Sequence, residues 1–285
     1  MKKIIYFIEF LVVEFLFIIF KVIGYKSASN LGFFIGKNFG NFFRKKKSII
    51  ENLHKSKIVI NTSENQFVNN VLGNYGRILA EYPFLKKFKN NSLEQYIEIE
   101  GKEYLEEIKK DNRRVVFVSG HFNNFELMAM QLENSGLNIA AIYRPLNNFF
   151  LNRIMEKIRL NDICKKQIKK GKSGTRELLQ LFKDGYSIAL MIDQRVSEGI
   201  KSQLFKRSAL TTTIPAQLVK KYGVDVVPIY IERKKKVYFK MYVNKPINFK
   251  KNVSLEEVTE TLNQELEKMI LKKPDQWIWS HDRWK

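Results

Sequence analysis

Alternating strand-like and helix-like patterns over residues 96–243 predict an α/β fold with a mostly parallel central sheet flanked by helices. Two further observations support that class. The chain has 285 residues and 45% hydrophobic content, enough to bury one large core and too apolar for disorder. Runs such as Val115-Val116-Phe117-Val118 have the β-branched and aromatic composition of buried strands.

Taken in order, the most apolar stretch comes first. Residues 4–20 contain only two charges, Glu9 and Glu14, and are bracketed by Lys2, Lys3 and Lys21. Their length is near the lower limit for a membrane span. Each glutamate would cost about 2.5–3.5 kcal/mol at mid-bilayer on insertion scales. A helical projection gathers Glu9, Glu14, Lys3 and Lys21 into one sector of about 140°. Residues 1–24 are therefore expected to form an N-terminal hydrophobic membrane helix that spans the bilayer or lies in its interface, with a buried core helix as the competing reading. No small-residue cleavage site follows, so the segment is expected to be retained. Residues 25–285 form the main domain.

From Lys26 to Lys57 the chain mixes Phe33, Phe34, Phe39, Phe42 and Phe43 with Lys37, Arg44, Lys45, Lys46 and Lys47. That mixture suits either an anionic bilayer surface or a solvated basic loop beside a core helix. Residues 64–89 read as a helix with Phe67, Val71, Leu72, Tyr75 and Leu79 on one side, ending near Pro83. Strands are expected at 96–99, 115–118, 139–143, 188–192, 226–231 and 237–243. Helices are expected between them at 101–109, 124–134, 148–159, 174–184 and 213–222, followed by a solvated amphipathic helix at 254–271.

Fifty basic residues against 29 acidic ones give a net charge of +21, which predicts anionic partners: membrane phospholipid, nucleic acid or an acidic protein. Cys164 is the sole cysteine, so no disulfide forms within the chain and an inert core thiol in a reduced compartment is expected. Walker-type phosphate loops, GxGxxG, GxSxG and metal-spaced Cys/His clusters do not occur in the sequence, which leaves covalent and metal catalysis without support.

What remains is a histidine at a strand exit. Gly120 ends the run Val115–Val118, His121 follows, and Asn123 with Glu126 resembles a capping box for the next helix. Residues five apart on one helix point about 140° apart, so His121 and Glu126 can meet only if His121 lies in the turn before the helix. Two other strand exits carry polar groups, Arg144 after Tyr143 and Asp193-Gln194 after Ile192. In parallel sheets ligands bind outside the carboxyl ends of the strands, so these groups are expected at one edge. A histidine steered by a carboxylate is the general-base half of a triad without its serine, and the nucleophile then belongs to the substrate. His121 would take a proton from a substrate hydroxyl, while Glu126 fixes the tautomer and stabilises the imidazolium. Helix-start amides near Asn124, or the Arg144 guanidinium, would hold an oxyanion or an anionic substrate group.

The segments Gly120-His121-Phe122-Asn123-Asn124-Phe125-Glu126, Tyr143-Arg144-Pro145 with Asn148, Asp193-Gln194, Thr211-Thr212-Thr213-Ile214-Pro215-Ala216 and Gln276-Trp277-Ile278-Trp279-Ser280-His281-Asp282-Arg283-Trp284 together resemble the bacterial lipid A biosynthesis acyltransferase family, over about residues 30–285. The histidine motif is shared with glycerolipid acyltransferases; the combination with the tryptophan-rich ending is more specific. The resemblance implies a glycerolipid-acyltransferase-like catalytic domain over 25–285. It also implies transfer of a fatty acyl chain from acyl carrier protein to a hydroxyl of a lipid A precursor, at the cytoplasmic face of the inner membrane and without a cofactor. His121 and Glu126 would be catalytic, and Asn124, Arg144, Asn148, Asp193 and Gln194 would bind substrate. Two positions depart from the family pattern, Asn123 for a common glycine and Phe125 for a common tryptophan. Trp277, Trp279 and Trp284 would sit at the bilayer interface or close the domain by packing. A neighbouring alternative is an acyltransferase for another glycolipid or phospholipid, since the same dyad serves any acceptor hydroxyl; the competing class, a non-enzymatic basic nucleic-acid-binding protein, finds no reading motif, because the basic residues are scattered.

Overall fold

The computed structural model describes residues 2–285. Helices α1 (Lys2–Ile23), α2 (Tyr25–Phe39), α3 (Lys46–Ser56), α4 (Glu64–Glu81) and α5 (Leu85–Lys89) come first. The chain then alternates through β1 (Ile97–Glu100), α6 (Lys102–Lys110), β2 (Val116–Ser119), α7 (Glu126–Asn134), β3 (Ile139–Tyr143), α8 (Phe149–Ile158), β4 (Lys166–Lys169), α9 (Lys172–Lys183) and β5 (Ser187–Met191). A hairpin of β6 (Ile200–Leu204) and β7 (Arg207–Thr211) precedes α10 (Ile214–Tyr222), β8 (Val226–Lys235), β9 (Tyr238–Val243) and α11 (Leu255–Lys272).

Seven strands form one sheet in the order β1-β9-β8-β2-β5-β3-β4, parallel throughout except at β8–β9, so the expected mostly parallel sheet flanked by helices is present. β2 lies at its centre, and Val116, Phe117 and Val118 are buried, as a parallel strand covered on both faces requires. All six expected strands occur within one or two residues of their predicted limits, except β8, which runs four residues further. Three strands carried no recognisable pattern. β4 (Lys-Gln-Ile-Lys) is an edge strand that buries only Ile168, and lysines are normal protection for an exposed edge. The β6–β7 hairpin turns on Phe205 and Lys206, both at positive φ, without the Asn-Gly pair that marks such a turn.

The region 26–57, expected as a basic aromatic surface or loop, is largely helical. Along α2, Gly32 and Gly36 lie against Gly76 and Leu72 of α4, and a Cβ on Gly76 would fall 2.0 Å from the Gly32 carbonyl oxygen. Only glycine allows the two backbones to approach so closely. A buried ion pair ties this helical layer to the sheet. Glu81 at the end of α4 receives both terminal nitrogens of Arg233 from β8 at 2.7 and 3.0 Å, together with the Ser29 hydroxyl and the Asn124 amide. The Arg233 guanidinium also stacks over the Phe239 ring.

α1 buries Phe17 and Phe20, and its Phe7 and Phe10 pack against Phe150 of α8. Its opposite side leaves Ile4, Ile8, Leu11, Phe15, Ile18 and Val22 exposed. That exposure excludes the core-helix reading. No helix among the described residues is long and apolar enough to cross a membrane.

Replacing Glu81 with alanine strands a buried guanidinium. The expected loss is about 3–5 kcal/mol in urea denaturation, with partial recovery in the Glu81→Ala/Arg233→Met double variant.

Candidate active site

The site is assembled where β2 and its neighbour β5 end on the same edge of the sheet. Gly120 leaves β2 in a space where a Cβ would lie 2.8 Å from the Phe122 ring and 3.2 Å from the Asp193 carboxylate, so hydrogen is the only side chain that fits without displacement. The next residue, His121, is held at two points by Asp193, which follows β5. The His121 amide donates to Oδ2 at 2.7 Å, and Nδ1 lies 2.7 Å from Oδ1. The Trp277 indole N–H donates to the same Oδ2 at 2.8 Å.

Asp193 is fully buried. Burial alone would raise its pKa, but the His121 charge and the hydrogen bonds from His121 and Trp277 outweigh burial, and the carboxyl is held below its usual range. For His121 burial again opposes the charged form, and the Asp193 charge and hydrogen bond prevail, so the imidazole pKa is raised above 6.5. An ionised acceptor on Nδ1 puts the neutral ring's proton there. Nε2 then carries the lone pair on a ring that lines a cavity of about 590 Å³.

His121 lies in the turn before α7, as expected, but the carboxylate that orients it is Asp193, not Glu126. Glu126 is the first residue of α7, and its Oε1 accepts from the Tyr82 hydroxyl at 2.6 Å and from Nε and Nη2 of Arg159 at 2.9 and 2.8 Å. These three donors hold it in the lining of the same cavity. Its charge still contributes to the upward shift of His121. The expected capping box is absent. Asn123 takes a positive φ of 43°, and its amide nitrogen bonds Gln276 and the Ile231 carbonyl instead of the helix start.

The other candidates divide. Arg144 and Gln194 line the cavity. Arg144 is exposed at its edge and has no carboxylate partner among the described residues. Asn124 is fully buried, its side-chain amide donates to Glu81, and its Oδ1 has no hydrogen-bond partner among the described residues. Asn148 caps α8, with its oxygen accepting from Phe150 and Leu151, while its amide holds Tyr6 and Glu9 of α1. Asn148 has both side-chain atoms engaged by the scaffold, whereas Asn124 has only its amide nitrogen engaged. Trp277 and Trp279 are buried, so packing is the reading that holds for them. Cys164 is also buried, and burial pushes its thiol up to about 11, consistent with an inert core cysteine.

Part of the cavity lining is apolar. Phe117, Ala189 and Ala141 stand in register across β2, β5 and β3 and line one wall. Met128 and Ala129 of α7 and Met155 of α8 face them. Alanine at two adjacent sheet positions leaves a slot that larger side chains would fill. The polar groups of His121, Arg144, Gln194 and Glu126 line the same cavity, together with Arg44, Arg159, Gln167 and Lys170. A cavity with one apolar wall and a lining that also carries basic and polar groups suits a long hydrophobic ligand with a polar reactive end.

Tyr82, Arg159 and His281 line the same cavity and were not legible as site residues in the sequence. Arg159 stands on an irregular turn after α8 with no motif around it. His281 had the tryptophan-rich ending as its only signal. A search of curated protein sequences returned no match. The sequence model of the bacterial lipid A biosynthesis acyltransferase family matches residues 1–285, and with that match over the whole chain the protein belongs to this family of acyltransferases.

Proposed function

We propose that this chain transfers a fatty acyl group from the thioester of acyl carrier protein to a hydroxyl of a lipid A precursor, with His121 as general base. One observation carries the reading: a buried carboxylate holds Nδ1 of an imidazole that lines the cavity, which leaves Nε2 as its basic nitrogen. The hydroxyl proton passes to Nε2 as its oxygen bonds to the thioester carbon. The tetrahedral oxyanion then collapses, the carbon–sulfur bond breaks, and the imidazolium returns the proton to the leaving thiolate. Asp193 holds the ring and offsets the charge formed on it. Glu126, fixed by Tyr82 and Arg159, supports the imidazolium at longer range. Arg144, without a carboxylate partner at the cavity edge, is suited to an anionic group of the substrate, and Gln194 to a polar one. Each methylene of the acyl chain buried in the slot contributes about 0.8 kcal/mol of binding.

Association with the cytoplasmic face of the inner membrane belongs to the same proposal. The exposed apolar side of α1 is accompanied by exposed Phe34, Phe39, Phe42, Phe43 and Phe149, and by exposed Leu146 in the cavity lining. A net charge of +21 favours anionic lipid and an acidic carrier protein alike. An interfacial α1 leaves its apolar side in the acyl region without requiring a span.

Incubation of purified protein with acyl carrier protein thioesters and a lipid A precursor should add the mass of one acyl chain to the acceptor. His121→Ala should lower the rate about 10²–10⁴-fold, and full transfer by that variant would end the proposal. The base works when neutral, so activity should rise with pH through the His121 pKa, above 6.5. Asp193→Asn removes the main raising influence, and the acid limb should move to lower pH while kcat falls; an unmoved limb counts against the pairing. In fractionation the protein should stay with membranes through a high-salt wash and leave them only in detergent, whereas release by salt alone contradicts an apolar anchor.

A further inference from the structure

Two imidazoles hang from the loop that follows β5. Asp193 takes Nδ1 of His121, and two residues later the backbone amide of Arg195 donates to Nε2 of His281 at 3.0 Å. An amide can only donate, so Nε2 of His281 is the acceptor and the proton of its neutral ring sits on Nδ1. Among the described residues no protein group accepts from that Nδ1–H, and His281 lines the same cavity as His121. The loop therefore sets opposite tautomers on two rings that line the cavity: His121 keeps its lone pair on Nε2, and His281 keeps its N–H on Nδ1.

The backbone around His281 is held as well. Asn52 of α3 donates to the carbonyls of Trp279 and His281, both at 2.8 Å, and the Arg283 side chain is fully buried against Leu210 and Thr211. Burial, reinforced by the neighbouring positive charges of His121 and Arg283 against the pull of Asp193 and Asp282, keeps the His281 ring below its ordinary pKa and therefore neutral. A preorganised neutral donor close to the base is the arrangement that stabilises negative charge developing on an oxygen.

We propose that His281 donates its Nδ1–H to the carbonyl oxygen of the acyl thioester and strengthens that hydrogen bond as the oxyanion forms beside His121. The assignment rests on the acyl-transfer reading above. It divides the work between two histidines, His121 moving the proton and His281 holding the oxygen without being protonated or deprotonated in the cycle.

Two substitutions separate this role from a structural one. His281→Gln places an amide oxygen near the Nε2 position, keeping the acceptor for Arg195 and losing the cavity donor. His281→Asn places an amide N–H near the Nδ1 position, keeping the cavity donor and losing the anchor. With a dodecanoyl thioester of acyl carrier protein and a lipid A precursor, His281→Gln should lower kcat about 10²-fold with little change in KM. His281→Asn should retain activity within about fivefold of the parent, less than the loss expected for a missing oxyanion donor. Thermal melts of both variants report on folding. Wild-type kcat in a folded His281→Gln protein, or a larger kcat loss in His281→Asn than in His281→Gln, overturns the assignment. His121→Ala, assayed beside them, tests the underlying reading: if that variant keeps full activity the acyl-transfer mechanism itself fails, whereas its inactivity combined with an unimpaired His281→Gln overturns only the role of His281.

Discussion

The buried carboxylate of Asp193 is the constraint on which the site depends. It joins three segments far apart in the chain, receiving the His121 amide and ring from the exit of β2 and the Trp277 indole from the carboxyl-terminal segment. A fully buried carboxylate is costly unless donors surround it, and these donors meet that requirement. The same hydrogen bonds that make its burial tolerable also hold the imidazole in one orientation and one tautomer. Stability and chemistry therefore draw on one set of contacts.

Around that centre the walls of the cavity divide by polarity. The sheet contributes Phe117, Ala141 and Ala189 to the apolar interior, and α7 and α8 contribute Met128, Ala129 and Met155. A second buried charge system, Glu126 with Tyr82 and Arg159, lines the same cavity. Two carboxylates thus act on one imidazole at different distances, and only the nearer one sets its orientation. The helical layer formed by the first eighty residues is not an appendage to this arrangement. Tyr82 follows α4 directly, Glu81 clamps Arg233 and Asn124, and Asn148 ties α8 to α1, so the exposed apolar side of α1 is held in fixed relation to the cavity mouth.

Much of the fold was legible in the sequence because its strands are short apolar runs separated by helical periodicity. Val115–Val118 and Ile139–Tyr143 could hardly have been read otherwise. β4 and the β6–β7 hairpin were not legible, since an edge strand buries little and the Phe205-Lys206 turn lacks the residues that ordinarily mark positive φ. α2 was obscured for a related reason: Gly32 and Gly36 lower helix propensity, and only the close approach to α4 explains their presence. In the site, strand exits located His121, Arg144 and Asp193 correctly at one edge. Spacing misassigned the partner of His121, because proximity in sequence favoured Glu126.

The sequence by itself determined the alternation of elements, the edge of the sheet at which polar groups emerge, and the family to which the motifs belong, because these depend on local pattern. Tertiary structure alone decided which carboxylate meets the imidazole, which of Asn124 and Asn148 serve the scaffold, and that His281 faces the cavity. Those outcomes depend on hydrogen bonds between residues 43 to 142 positions apart. Such pairings are settled by how the layers pack around a buried charge, and no local periodicity records them.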